Sequence, residues 1–102
     1  MDAIERAWVD RVMQLSCAAC YRRGIDTPAD EYHHLRESAG AGRRAPHLCG
    51  IPLCRAHHQG TQEGVHGVGL RKFAQALGAD EIDLLGDTLR RLALMLPMET
   101  WR

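Results

Sequence analysis

The stretch His47-Leu48-Cys49-Gly50-Ile51-Pro52-Leu53-Cys54-Arg55-Ala56-His57-His58 sets an apolar run between soft metal-ligand side chains. Leu48 to Leu53 predicts a β-strand that runs into Cys54. Arg55 to Gln59 predicts the opening of a helix, kept short by Gly60, Gly64, Gly67 and Gly69. Working outward, Cys17-Ala18-Ala19-Cys20 and Tyr32-His33-His34-Leu35 lie upstream and Val65-His66 downstream, so that every cysteine and histidine falls between Cys17 and His66. Thiols and imidazoles concentrated at such spacings argue for bound metal, and for more than one ion.

A chain of 102 residues makes one domain, expected to span 1–102, with an N-terminal helix (1–16), a metal-binding core (17–66) and C-terminal helices (67–102). Only five aromatic residues are present (two Trp, two Tyr, one Phe), so a metal crosslink would add stability that a thin aromatic core lacks. Thirteen basic and thirteen acidic residues cancel, which excludes nucleic-acid binding driven by a global field and leaves only local charge. No apolar run approaches the roughly 20 residues of a membrane helix. The opening Met1-Asp2-Ala3-Ile4-Glu5 does not read as a signal peptide, so a cytoplasmic protein is expected. In a reducing compartment these cysteines are expected as zinc ligands and not as disulfides.

Ile4, Trp8, Val12 and Leu15 recur on one face of a predicted helix from Asp2 to Leu15. Tyr21 to Asp30 reads as a loop, Glu31 to Leu35 as a strand, and Arg36 to Pro46 as a flexible basic loop. Two helices close the chain. The first covers Leu70 to Leu77 and stops at Gly78. The second is capped by Asp80 and carries Ile82, Leu85, Leu89, Leu92 and Leu96 as its apolar face before Pro97. Leu84, Leu94 and Met95 lie off that face and either cover the core from another side or meet a partner.

Cys17-x-x-Cys20 and Cys54-x-x-His57 are two chelating knuckles whose four donors suit a closed, tetrahedral structural zinc. Cys49 is left as a core residue or a substitute ligand. His33, His34, His47, His58 and His66 remain. Together they are expected to converge in a strand, strand, helix unit around a second cation, for which imidazole favours zinc, manganese or nickel at least as well as magnesium.

Cys17-x-x-Cys20, His33-His34-Leu35-Arg36, Gly40-x-Gly42, Ile51-Pro52-Leu53-Cys54-x-x-His57-His58 and Gly64-Val65-His66 together resemble the ββα-metal motif of HNH endonucleases. Within that superfamily the pattern is most similar to the phage recombination enhancement function nucleases and their prophage relatives, over about Val12 to Phe73. The resemblance implies an α+β fold and metal-dependent hydrolysis of DNA with weak sequence selectivity. It places His34 as the general base, His33, His58 and His66 as ligands of a catalytic magnesium, manganese, nickel or zinc ion, and His47 in the slot of the family's middle asparagine. The chain has no asparagine at all, so His47 either takes over that hydrogen bond, binds metal or stands by.

Arg36, Arg43, Arg44 and Arg55 are the candidate phosphate contacts. DNA and a RecA filament or a phage protein are the implied partners. The relatives' basic N-terminal arm has no counterpart before Asp2, which implies weaker DNA affinity. Two other classes stay open: a catalytically inactive, zinc-stabilised DNA-binding or adaptor module, and an interaction module acting through the leucine-rich C-terminal helices.

Overall fold

A computed structural model describes residues 1–36 and 46–101. Helix α1, Ala3–Val12, begins at a reciprocal cap in which the Glu5 amide donates to the Asp2 carboxylate and the Asp2 amide to Glu5. Helix α2, Ala18–Arg22, is capped by Cys17, whose Sγ accepts from the Cys20 amide at 3.5 Å. Strand β1, Glu31–His34, pairs antiparallel with β2, Gly50–Leu53, in a register that sets Glu31 opposite Leu53 and His34 opposite Gly50. Helix α3, Arg55–His58, follows β2 directly. Then come α4 (Val65–Val68), α5 (Leu70–Leu77), α6 (Glu81–Ala93) and α7 (Met98–Trp101). The architecture is α+β.

The hairpin sits at the centre. All of β2 is buried, and its Ile51 and Leu53 share a core with Leu35, Val65, Phe73 and Leu84. Ala18 and Ala19, both fully buried, let α2 approach closely. Helix α6 is clamped to that region by Arg91, which donates to the Ser16 carbonyl and Oγ at 3.0 and 2.7 Å and stacks over Tyr21. A two-pronged Arg22–Asp87 pair adds a second tie.

The structure trims and corrects several expectations. Helix α1 ends at Val12, and Ile4 is 75% exposed, so only Val12 and Leu15 of the assigned face are buried. Trp8 is half-buried, its indole N–H donating to the Leu48 carbonyl at 3.0 Å. Strand β2 begins at Gly50, because residues 47–49 form a turn in which the Cys49 amide donates to the Pro46 carbonyl. Helices α2, α4 and α7, of four or five residues each, are additions that no periodic pattern could announce. The loop from Arg36 to Pro46 falls largely on 37–45, outside the described residues, and Gly40, Gly42, Arg43 and Arg44 fall there with it.

The largest correction concerns α6. Leucine periodicity points Ile82, Leu85, Leu89, Leu92 and Leu96 inward, yet Ile82, Leu89 and Leu96 are exposed, as are Leu94 and Met95. The buried face is Glu81, Leu84 and Thr88. Thr88 satisfies its hydroxyl by donating to the Leu84 carbonyl at 2.8 Å, and Glu81 is held by groups of β1 and of the residues just after it, described below. The helix is rotated by its polar partners and not by its leucine stripe.

Candidate metal centres and cleft

Cys17 and Cys20 flank the first turn of α2, while Cys54 and His57 belong to the start of α3. Their four donor atoms lie within 4.8 Å of one another, and all four residues are buried. Cys20 Sγ is 3.9 Å from Cys54 Sγ, and His57 Nδ1 is 3.2, 3.5 and 3.9 Å from the sulfurs of Cys54, Cys20 and Cys17. Tetrahedral zinc, with its usual bond lengths, sets edges of about 3.8 Å between sulfurs and about 3.6 Å between sulfur and nitrogen. The donor cage therefore has the size zinc requires.

Burial pushes the Cys17 thiol up to about 12, against the pull of backbone amides at Cys20 and Cys54, and the neighbouring sulfurs raise it further. Sulfurs packed this closely would give up their protons only to a cation that balances the thiolates. Burial also lowers His57, opposed by Glu63 and aided by Arg23, which favours the neutral imidazole that a metal needs. With Nδ1 facing the sulfurs, His57 Nε2 is buried without a hydrogen bond among the described residues; Glu63 stands 3.7 Å away, too far to count. The set can hold a metal such as zinc. Cys49 is half-buried and packs beside the core, apart from the four donors.

The second group lies one residue further along α3. His33, His58 and His66 bring one nitrogen each within 4.8 Å of the others, their ring centroids 4.6 to 5.2 Å apart. His33 comes from β1, His58 from the end of α3 and His66 from α4. Glycines return α4 to this point: a Cβ on Gly67 would collide with the Gly60 carbonyl.

Carboxylates fix two of the three rings. His33 Nε2–H donates to Glu81 Oε2, with both side chains almost wholly buried, and Glu81 Oε1 accepts from the Arg36 amide at 2.9 Å. His58 Nδ1–H donates to Glu31 Oε1 at 2.8 Å. These bonds assign the remaining lone pairs to His33 Nδ1 and His58 Nε2. His66 differs. Its Nδ1 lies 3.2 Å from Arg36 Nη1, and a guanidinium can only donate. Burial lowers the His66 pKa, and the neighbouring His58 and His33 rings and the Arg36 guanidinium lower it further.

A cleft of about 270 Å³ opens over this group, lined by Tyr32, His33, His34, Arg36, His58 and His66. At its edge His34 Nε2 and His47 Nδ1 share a hydrogen bond of 3.0 Å. Tyr32 anchors His47 by donating its hydroxyl to the His47 carbonyl at 2.6 Å. The Tyr32 ring lies where a Cβ of Gly50 would project, so the missing side chain makes room for it. His47 is thus paired with His34 and stands outside the three-histidine group. Arg36 lines the cleft; Arg55 is exposed at the start of α3 and does not.

Glu81, Glu31 and Tyr32 complete the site without having been legible in the sequence. Glu81 follows the cap residue Asp80 and reads as an ordinary first-turn acid. A larger apolar groove of about 560 Å³ runs between α1 and the end of α6, past Trp8, Leu48, Leu92 and Met95, and contains none of the histidines or cysteines.

A strand pair leading into a short helix, with one thiol-rich centre behind it and one imidazole-rich centre before it, defines a small α+β protein equipped to hold metal. Residues 1–92 match the family described as recombination enhancement, RecA-dependent nuclease. The chain belongs to that family, which ties it to nuclease chemistry, to recombination and to RecA. No described helix is long and apolar enough to cross a membrane.

Proposed function

We propose that the protein is a metal-dependent DNA endonuclease of the HNH type, with His34 as general base and His47 holding it in place. The observation that carries this reading is the hydrogen-bonded His34–His47 pair at the edge of the cleft formed over His33, His58 and His66. An assembled imidazole trio beside a paired histidine favours catalysis over a non-cutting module.

Cys17, Cys20, Cys54 and His57 would hold a structural zinc that ties α2 to α3. His33, His58 and His66 would hold the catalytic cation, oriented from behind by Glu81 and Glu31. Bound there, a divalent ion would neutralise charge developing on the phosphate and on the leaving oxygen.

The remaining chemistry belongs to the chain. With Nε2 engaged by His47, Nδ1 of His34 takes the proton of the attacking water as its oxygen bonds to phosphorus and the bond from phosphorus to the 3′ oxygen breaks. For this, His34 must carry its own hydrogen on Nε2 and donate it to His47 Nδ1, so His47 must be neutral with its hydrogen on Nε2. His47 then fills the orienting role of the family's asparagine. Arg36 at the cleft, with Arg43, Arg44 and Arg55, would contact the phosphate backbone.

The test is cleavage of supercoiled plasmid by metal-stripped protein resupplied with zinc for its structural site and then with magnesium, manganese, nickel or further zinc. Each reaction is run with and without RecA filaments. Nicked or linear product that disappears in folded, zinc-retaining His34→Ala is expected. Intact plasmid under every condition, or undiminished cutting by His34→Ala, overturns the reading.

A further inference from the structure

The contact between Arg36 and His66 has a chemical consequence for cation binding. Arg36 Nη1 reaches His66 Nδ1 at 3.2 Å, and because the guanidinium offers only hydrogens, Nδ1 must supply the lone pair. A neutral His66 in that bond carries its hydrogen on Nε2. Neither nitrogen can then serve a metal. If Nδ1 is the ligand atom, the guanidinium already occupies it; if Nε2 is, its hydrogen must leave and Nδ1 must take one up, which ends the bond to Arg36. Only an imidazolate could satisfy both partners.

His33 and His58 have no such conflict, since carboxylates hold their hydrogens away from the centre. Meanwhile the Arg36 amide is fixed by Glu81 Oε1, so the backbone stays in place while the exposed side chain can swing. We propose that Arg36 and the divalent cation compete for His66, so that filling the His33, His58 and His66 site expels the guanidinium to the rim of the cleft, where it meets a DNA phosphate. Cation loading and the supply of a phosphate-binding arginine are thereby one event. The inference rests on the cation site proposed above.

Zinc, being diamagnetic, allows the competition to be followed by ¹⁵N NMR on protein whose four-donor site is already filled. In the starting state His66 is expected with its hydrogen on Nε2, and saturation with further zinc should move that hydrogen to Nδ1 or replace the Arg36 contact at Nδ1. Calorimetry with zinc or nickel should show Arg36→Ala binding the cation about fivefold more tightly, the factor that a net hydrogen bond of ordinary strength represents. In a His34→Ala background, Arg36→Ala should weaken binding of a fluorescent duplex several-fold more when the second cation is present than when it is absent. A His66 hydrogen already on Nδ1 before loading, an unchanged cation affinity, or an Arg36 contribution to duplex binding that ignores the cation overturns the competition. Those results leave plasmid cleavage untouched, whereas absence of any second cation at the three histidines overturns both proposals together.

Discussion

Glu81 and His33, separated by 48 residues, form a buried hydrogen-bonded pair that joins the first turn of α6 to β1. One carboxylate thereby orients an imidazole of the cleft, holds the Arg36 amide and sets the rotation of a thirteen-residue helix.

Replacing that carboxylate should therefore be felt in two observables. Glu81→Ala strands the buried His33 N–H, at a cost of about 1–3 kcal/mol, and releases the Arg36 amide, which is near enough to solvent to find water. Cation affinity at the three histidines should fall about 10–100-fold, as for other lost carboxylate partners of metal-bound histidine. Urea unfolding and calorimetric titration with nickel measure the two effects. Unchanged affinity would assign Glu81 to folding alone.

The sulfur centre predicts a stability that depends on metal and on pH. Stripping zinc should cost much of the stability, up to about 10 kcal/mol, visible as a large lowering of the thermal midpoint that zinc reverses. In the stripped protein, folding raises the Cys17 thiol from its ordinary 9.0 to about 12, so the folded state favours the protonated thiol. That contribution is fully present below pH 9 and is lost as pH rises toward 12. Urea midpoints of stripped protein should thus decline above pH 9. Zinc uptake itself should release protons, measurable by calorimetry in buffers of different ionisation heat.

His47 supports a graded set of substitutions. His34→Ala should lower plasmid cleavage about 10²–10⁴-fold, the range for a lost general base. His47→Ala should cost less, mainly in kcat, and His47→Asn should restore much of the loss by offering a side-chain acceptor to the same N–H. Asparagine performing no better than alanine would remove the orienting role.

Gly50 has a steric part in the same arrangement. Any Cβ there meets the Tyr32 ring, whose hydroxyl anchors His47. Gly50→Ala should cost about 1–3 kcal/mol as an overpacked site. It should also slow cutting more than Tyr32→Phe, which removes only the hydroxyl. Chemical denaturation and nicking rates compare the two.

At low pH the three-histidine site should lose its cation. Burial and positive neighbours hold His66 below its ordinary 6.5, so it stays neutral until the solution is more acidic than that. The His66 contribution to nickel affinity should accordingly persist at neutrality and be lost only as pH falls below 6.5. Titration calorimetry across that range checks it.

How much of this was visible in the sequence depends on how local each signal is. Cys17 with Cys20 and Cys54 with His57 are donor pairs set within one turn of each other, so spacing alone brings them out. His33, His58 and His66 were expected around a second cation together with His34 and His47, and separating the three from those two needed the resemblance, because three segments must meet to bring them together. Helix α6 misled for a physical reason: its leucines outnumber its inward positions, and a carboxylate is expected outside unless its partner is known. Nothing near Glu81 in sequence names His33. Helix α2 escaped because a cysteine cap and the knuckle define it, where a periodic apolar face would have been needed to announce it.

Helix α3 is four residues long, too short to persist unaided, and its consecutive His57 and His58 serve different centres. Whatever attacks the thiols therefore reaches the cleft indirectly. An oxidant that converts Cys20 and Cys54 to a disulfide, or either to a sulfenic acid, would discharge a metal held there, release the turn that carries His58 and loosen the cleft from behind. The geometry of the cleft thus hangs on sulfurs that stand on its far side.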